Sequence, residues 1–193
     1  MRVLAISGSA RKGGNTATLL RRVLAVLEER GIETEIIELA GKRAQGCTAC
    51  LKCRETLDHR CHGRNDAINE CIEKADAADG LLIGSPVYFG DVSAETKALI
   101  DRLGYVGRAN KGMMDRKVGA GVVAVRRAGA LHALDTIHHG MHLLQMVVPG
   151  SSYWAFGMGG PIGAVEEDAE GLDAMDALGA NIAWLLECTA SSR

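Results

Sequence analysis

The sequence is poor in the features that membranes and nucleic acids select. No apolar run reaches the ~18 residues of a membrane span. The formal net charge is -2 over 193 residues, so no basic footprint for nucleic acid is expected. There are three prolines, and no low-complexity tract, internal repeat or linker divides the chain. That profile implies one domain over residues 1–193, with a core large enough to fold unaided. The first apolar stretch, Val3-Leu4-Ala5-Ile6, is too short for a signal-peptide core, and glycine and arginine follow at once. A cytoplasmic location is the expectation. In that compartment the six cysteines point to metal binding or redox chemistry rather than to structural disulfides. Glycine is plentiful at 24 residues, which suits several tight ligand loops.

Apolar patterning predicts strands over 2–7, Glu33–Leu39, Gly80–Gly84, Lys117–Val125 and Val147–Val148. Helical spacing falls over 16–30, Asn65–Ala77, Ala94–Leu103, Leu131–Met146 and Glu166–Leu186. Residues 40 to 64 show no sustained period. Strands alternate with helices throughout, so a parallel sheet with helices on both faces and right-handed crossovers is expected. Five strands with a candidate phosphate loop after the first favour the order 2-1-3-4-5. Ligands then lie outside the carboxyl ends of the strands, where the loops after strands one, three and four open.

The stretch Ser7-Gly8-Ser9-Ala10-Arg11-Lys12-Gly13-Gly14-Asn15-Thr16 joins the first strand to the first helix. Free N–H groups at a helix start favour an anion. Ser7, Ser9, Asn15 and Thr16 add uncharged donors, and Arg11 adds a fork suited to phosphate. Gly8 and Gly13 have the spacing of a nucleotide P-loop, but Gly14 and Asn15 stand where Lys and Ser/Thr are required. The dinucleotide fingerprint Gly-x-Gly-x-x-Gly is missing from this loop. The remaining chemistry suits a phosphate monoester held without a metal, against the alternative of an ordinary capped turn.

Gly84-Ser85-Pro86-Val87-Tyr88-Phe89-Gly90 follows the third strand and holds two of the five Tyr and Phe residues. Such a loop offers an apolar wall and backbone polar groups to a flat heterocycle, or serves as a stiff turn. Two loops on one sheet edge point to a phosphate-bearing aromatic cofactor.

Residues 5–16 (AISGSARKGGNT) and 83–102 (IGSPVYFGDVSAETKALIDR) resemble the NAD(P)H-dependent FMN reductase family of flavodoxin-fold proteins. The resemblance implies an α/β flavodoxin-like three-layer sandwich binding FMN. By it, Ser7, Ser9, Arg11, Gly14, Asn15 and Thr16 hold the FMN phosphate, and Pro86, Val87, Tyr88, Phe89 and Gly90 line the isoalloxazine ring. Arg126, Arg127 and Gly129 then approach the ring from the other side. It further implies NAD(P)H as electron donor, a small-molecule or protein acceptor, and a homodimer or homotetramer with the flavin near a subunit interface.

Cys47-x-x-Cys50-x-x-Cys53 is followed, after seven residues, by Cys61. Thiolates so spaced in a loop of about 46–64 can hold a cubane cluster. They can equally hold zinc, with Cys61, His59 or His62 as fourth ligand, or remain thiols. The spacing resembles the iron–sulfur flavoprotein branch of the same family. There Cys47, Cys50, Cys53 and Cys61 correspond to the ligands of a [4Fe-4S] cluster that exchanges electrons with FMN. Cys71, Cys188 and Trp184 read as packing residues, and Trp154 as core or as cover over the flavin. His132, His138, His139 and His142 share one helix, without the carboxylate motif of a zinc protease. The function expected is an FMN-dependent NAD(P)H reductase of a flavin, quinone or other small acceptor. The alternative is a carrier relaying electrons between a cluster and FMN without oxidising NAD(P)H. No side chain is singled out as a catalytic acid or base.

Overall fold

The computed structural model describes residues 1–190. Its first strand, β1 (Arg2–Ser7), is interior to the sheet, and Val3 to Ile6 are essentially inaccessible. Near-continuous apolar runs of this kind belong to parallel strands covered on both faces. β2 (Glu33–Glu38) and β3 (Gly80–Tyr88) flank β1, pairing Arg2 with Glu33 and Val3 with Gly80. β5 (Val118–Val125) pairs with β3 from Gly80 opposite Val118 to Pro86 opposite Ala124. β6 (Phe156–Met158) closes the edge beside Val123 to Val125. A two-residue β4 (Asp91–Val92) folds back antiparallel on the end of β3.

The order is β2-β1-β3-β5-β6. The parallel strands alone thus give the expected 2-1-3-4-5, with β4 as an addition. The fifth parallel strand, however, is Phe156–Met158 and not Val147–Val148. Val147 makes a single bridge to Val118, with Gly119 N–H donating to its carbonyl and its own N–H donating to Lys117 O, each at 2.9 Å. Pro149 then has no N–H to continue a ladder. The chain leaves the edge and returns at Ala155, whose carbonyl accepts from Val123 N–H at 3.0 Å. Within the gap the imidazole of His138 substitutes for a strand, its Nε2 accepting from Gly121 N–H at 3.2 Å. Burial, reinforced by His142, lowers the pKa of His138 and keeps it in the neutral form able to accept.

α1 (Asn15–Glu29) and α6 (Ala169–Ala190) cover one face. On α1, Leu19, Leu20, Val23, Leu24 and Leu27 are buried at helical spacing. α3 (Ala67–Ala77), α4 (Ala94–Ala109) and α5 (Ala130–Leu143) cover the other face. α4 runs past its expected end at Leu103, because its apolar stripe continues through Val106 and Gly107, which packs against Leu144 and Met114. The last helix begins at Ala169 and not Glu166. A 3-10 turn, Ala164–Glu167, precedes it, and the Asp168 carboxylate accepts from Gly171 N–H at 3.1 Å. A single turn, α2 (Lys52–Thr56), lies inside the cysteine segment and is too short to show a period. Trp184 and Trp154 are exposed at 61% and 51% rather than packed in the core. No helix among the described residues is long and apolar enough to cross a membrane.

Candidate functional site

The loops after β1, β3, β5 and β6 meet at the carboxyl edge of the sheet around a pocket of about 220 Å³. Its floor is the start of α1. α3 is capped by the Asp66 carboxylate, which accepts from Ile68 N–H, and α4 by the Ser93 hydroxyl, which accepts from Thr96 N–H. α1 begins at Gly14 with no side-chain cap, so its first amides face the pocket unclaimed by a cap. Ser9, Arg11, Asn15 and Thr16 line this end. Pro86, Val87 and Tyr88 form the apolar side, and Ala124 and Arg126 stand across from them.

Three residues of the stretch from Ser7 to Thr16 have surroundings that the sequence did not reveal. Asn15 is 8% exposed, and its amide is fully engaged with the loop after β6. Nδ2 donates to Gly159 O at 3.0 Å and Pro161 O at 2.8 Å, and Oδ1 accepts from Gly163 N–H at 2.8 Å. It positions the wall that Gly159 and Gly160 add to the pocket. Arg11 spans the same two loops, Nη1 donating to Gly160 O at 3.0 Å. Ser7 lies fully buried behind the loop, its hydroxyl without a hydrogen-bond partner among the described residues.

Phe89, Gly90, Arg127 and Gly129 stand outside the pocket wall. Gly129, at φ +92°, lies where a Cβ would come within 3.1 Å of Gly90 Cα, so the two loops touch backbone to backbone. Phe89 is wholly exposed. Ala124 carried no signal in the sequence; Gly159 and Gly160 read as a glycine run able to cover the flavin, but nothing linear showed that Asn15 holds it.

Gly8 fixes how the phosphate loop meets α4. A Cβ there would lie 1.9 Å from Thr96 Oγ1 and 3.1 Å from Thr96 N. Ser93 Oγ donates to Gly8 O at 2.6 Å, and Gly8 N–H donates to Gly84 O at 2.8 Å. Gly8→Ala is therefore expected to destabilise the fold by about 1–3 kcal/mol through overpacking. Adding Thr96→Ala should recover part of that loss, read from urea midpoints. An unchanged midpoint in the single variant would show that the loop has room to move.

Two turns along α4 lies the cysteine segment. Cys47, Cys50, Cys53 and Cys61 all border one small pocket of about 20 Å³, closed by Arg102, Tyr105 and Val106. None of the four is in a disulfide. Cys53 is buried and its Sγ faces Tyr105 O at 3.8 Å. Burial, then the neighbouring Cys61, Cys47 and Cys50, push its thiol pKa up. Cys50 is exposed, and the Lys52 N–H and Thr48 hydroxyl lower its pKa. Gly63 completes the cradle, since a Cβ there would meet Cys50 Sγ at 3.0 Å. No three His, Cys, Asp or Glu side chains among the described residues are gathered as ligands of one metal ion.

Backbone strain concentrates in these two places. Of the seven non-glycine residues with positive φ among the described residues, Ala49, Leu51, Leu57 and His59 lie in the cysteine segment and Phe89 in the aromatic loop. Cys71, by contrast, is a core residue whose thiol burial pushes up to about 12, while Cys188 is exposed on α6 rather than packed.

A parallel sheet in this order, with an uncapped helix start and an aromatic loop at its carboxyl edge, defines a flavodoxin-like fold. The chain belongs to the NADPH-dependent FMN reductase family, whose model matches residues 1–160. It is 36% identical to an iron-sulfur flavoprotein of Methanocaldococcus jannaschii, over 97% of this chain and 98% of that protein. Among solved structures it is similar to RosB with bound 8-demethyl-8-formylriboflavin-5'-phosphate, with a TM-score of 0.79 and 18% identity over 100% of this chain and 81% of the other. It is also similar to a flavodoxin, WrbA-like protein from Agrobacterium tumefaciens, with a TM-score of 0.67 and 16% identity over 97% of both chains. These last two likenesses bear on the fold.

Proposed function

We propose that this chain is an FMN-binding electron-transfer protein whose cysteine pocket holds a [4Fe-4S] cluster. The observation that carries this reading is the convergence of Cys47, Cys50, Cys53 and Cys61 on one pocket against α4. The start of the same helix packs on the phosphate loop through Ser93 and Thr96. Thr96 and Arg102 are six residues apart, so the two places are separated by about 9 Å along the helix axis. A zinc ion also takes four thiolates, but it draws them from separated pairs, whereas three cysteines in one Cys-x-x-Cys-x-x-Cys run have the spacing of cubane ligands. Loading would require the outer side of the segment, where Cys50 and Leu51 are exposed, to move outward.

FMN, when bound, supplies the redox chemistry, and a cluster would supply one-electron transfer. The chain's own residues bind and orient. Ser9, Thr16, Arg11 and the first amides of α1 fit the phosphate, Asn15 braces the loop that closes over it, and Pro86 to Tyr88 fit the ring. Tyr88 and Phe89 are exposed at the mouth, which suits a site completed by a second copy of the chain. A second reading, a cytoplasmic NAD(P)H-dependent reductase of a small acceptor, draws on the family membership and on the open pocket.

The test is an anaerobic absorption spectrum with iron and zinc determined on the same sample, followed by assay with NADH and NADPH. A flavin spectrum with added broad absorbance, stoichiometric iron and no nucleotide oxidation is the expected result. A clean flavin spectrum without iron, together with steady NAD(P)H turnover, would replace it with the reductase reading.

A further inference from the structure

Among the described residues, Arg102 is the largest side chain that is fully buried. It lies on the apolar stripe of α4, between Leu99 and Leu103 on one side and Val106 on the other. Its guanidinium is spread over four partners. Nη1 donates to Asp66 Oδ1 at 2.5 Å and to Gln45 O at 3.2 Å, and Nη2 donates to Asn69 Oδ1. Nε donates to Cys61 Sγ at 3.3 Å. The partners are themselves tied together. Asn69 Nδ2 donates to Cys61 O at 2.8 Å, and the Asp66 carboxylate accepts from Gln45 N–H at 2.9 Å. The segment that carries the cysteines is therefore pinned to α4 just before Cys47 and again at Cys61.

A buried ion pair is a weak source of stability compared with a well-packed apolar pair, so its presence calls for another reason. Asp66 balances the charge of Arg102. What remains facing the pocket is the directional N–H···S bond from Nε. Hydrogen bonds to the sulfurs are among the factors that set the reduction potential of an iron–sulfur group.

We infer that Arg102 is a positioning residue of the cysteine pocket: it holds Cys61 in place as the inner ligand, and its Nε–H makes the group bound there easier to reduce. The inference rests on the cluster reading above. Reduction here means that one electron enters from an external reductant. The added negative charge spreads over the sulfurs, no bond forms or breaks, and no proton moves. A donor to Cys61 Sγ stabilises that added charge. Lysine at 102 retains the cation for Asp66 and loses the Nε donor.

The full chain is reconstituted anaerobically with ferrous iron and sulfide and titrated with dithionite, following the midpoint by electron paramagnetic resonance. Arg102→Lys is expected to hold iron with a more negative midpoint than the unsubstituted protein. Asn110→Ala serves as the structural control. Asn110 Oδ1 accepts from His59 N–H at 3.4 Å, so this variant loosens the same segment without touching a cysteine. It should lower thermal stability and leave the midpoint in place. Arg102→Lys with bound iron and an unshifted midpoint overturns the inference, as does an equal shift in Asn110→Ala. Unsubstituted protein that takes up no iron overturns both this inference and the cluster reading, which separates the two failures.

Should Arg102→Lys not fold, unsubstituted protein labelled at arginine 15Nε gives the same answer. One arginine Nε resonance is expected to move on loading with iron and sulfide, and a spectrum in which none moves refutes the contact.

Discussion

Asp66→Ala is expected to lower folding stability by about 3–5 kcal/mol, the cost of leaving a buried charge without its partner. The side chains of Arg102 and Asp66 are 0% and 1% exposed, so water cannot replace the lost carboxylate. The substitution also removes the cap of α3 and the acceptor of Gln45 N–H. Urea unfolding of the two proteins, with the slope unchanged, measures the difference. A loss under about 1 kcal/mol would mean that the guanidinium finds solvent, and that the pair is not closed as described.

The same carboxylate predicts an acid response. Burial raises the pKa of Asp66, but the Arg102 hydrogen bond, the Gln45 N–H, the Arg102 charge and the Ile68 N–H outweigh it, so the net shift is downward. A depressed carboxylate contributes its stability fully above the unfolded value of about 3.9 and loses it as pH falls through the folded value. Unfolding free energy measured below about pH 4 should therefore fall more steeply in the unsubstituted protein than in Asp66→Asn.

Asn15→Ala should weaken FMN binding about tenfold or more and cost about 2–3 kcal/mol of stability, at ~1 kcal/mol for each of three hydrogen bonds. Its amide makes no fold-defining contact within α1. All three bonds reach across to residues 159–163. Gly159 and Gly160 form part of the pocket wall, so releasing this loop leaves the phosphate end open on one side. Ordering it again on binding would consume about 1.4 kcal/mol for each tenfold loss of affinity. Quenching of flavin fluorescence during titration of the cofactor-free protein measures the dissociation constant. An unchanged constant beside a lowered melting temperature would place the phosphate away from the α1 start, and the site assignment would have to move.

The order of the sheet was legible because the patterns of β1, β3 and β5 are extreme. Val3 to Ile6, Leu81 to Ile83 and Val118 to Val125 are apolar runs that only a doubly covered parallel strand accommodates. The loop between β1 and α1 was legible for a similar reason, since its glycines and hydroxyls mark a strand-to-helix turn, and the helix starts there without a side-chain cap. The fifth strand was not. Val147-Val148 has the better local propensity, yet Phe156–Met158 pairs, because Pro149 breaks the ladder and a histidine from α5 fills the gap. Arg102 did carry a signal, a cation in register with the buried stripe of its helix, but the partners that explain it lie 33 to 57 residues away in the chain.

Residue chemistry and spacing were enough for the class of fold and the family. These depend on continuous apolar runs, on helical patterns of period 3.6 and on short loops whose ends are fixed by their own strands. The roles of individual polar groups were settled only by long-range packing. Asn15 is tied to the loop after β6, Ser7 is fully buried, and Cys61 has a guanidinium as neighbour. A side-chain hydrogen bond has a reach of about 3 Å, and no linear pattern encodes which distant atom falls inside it.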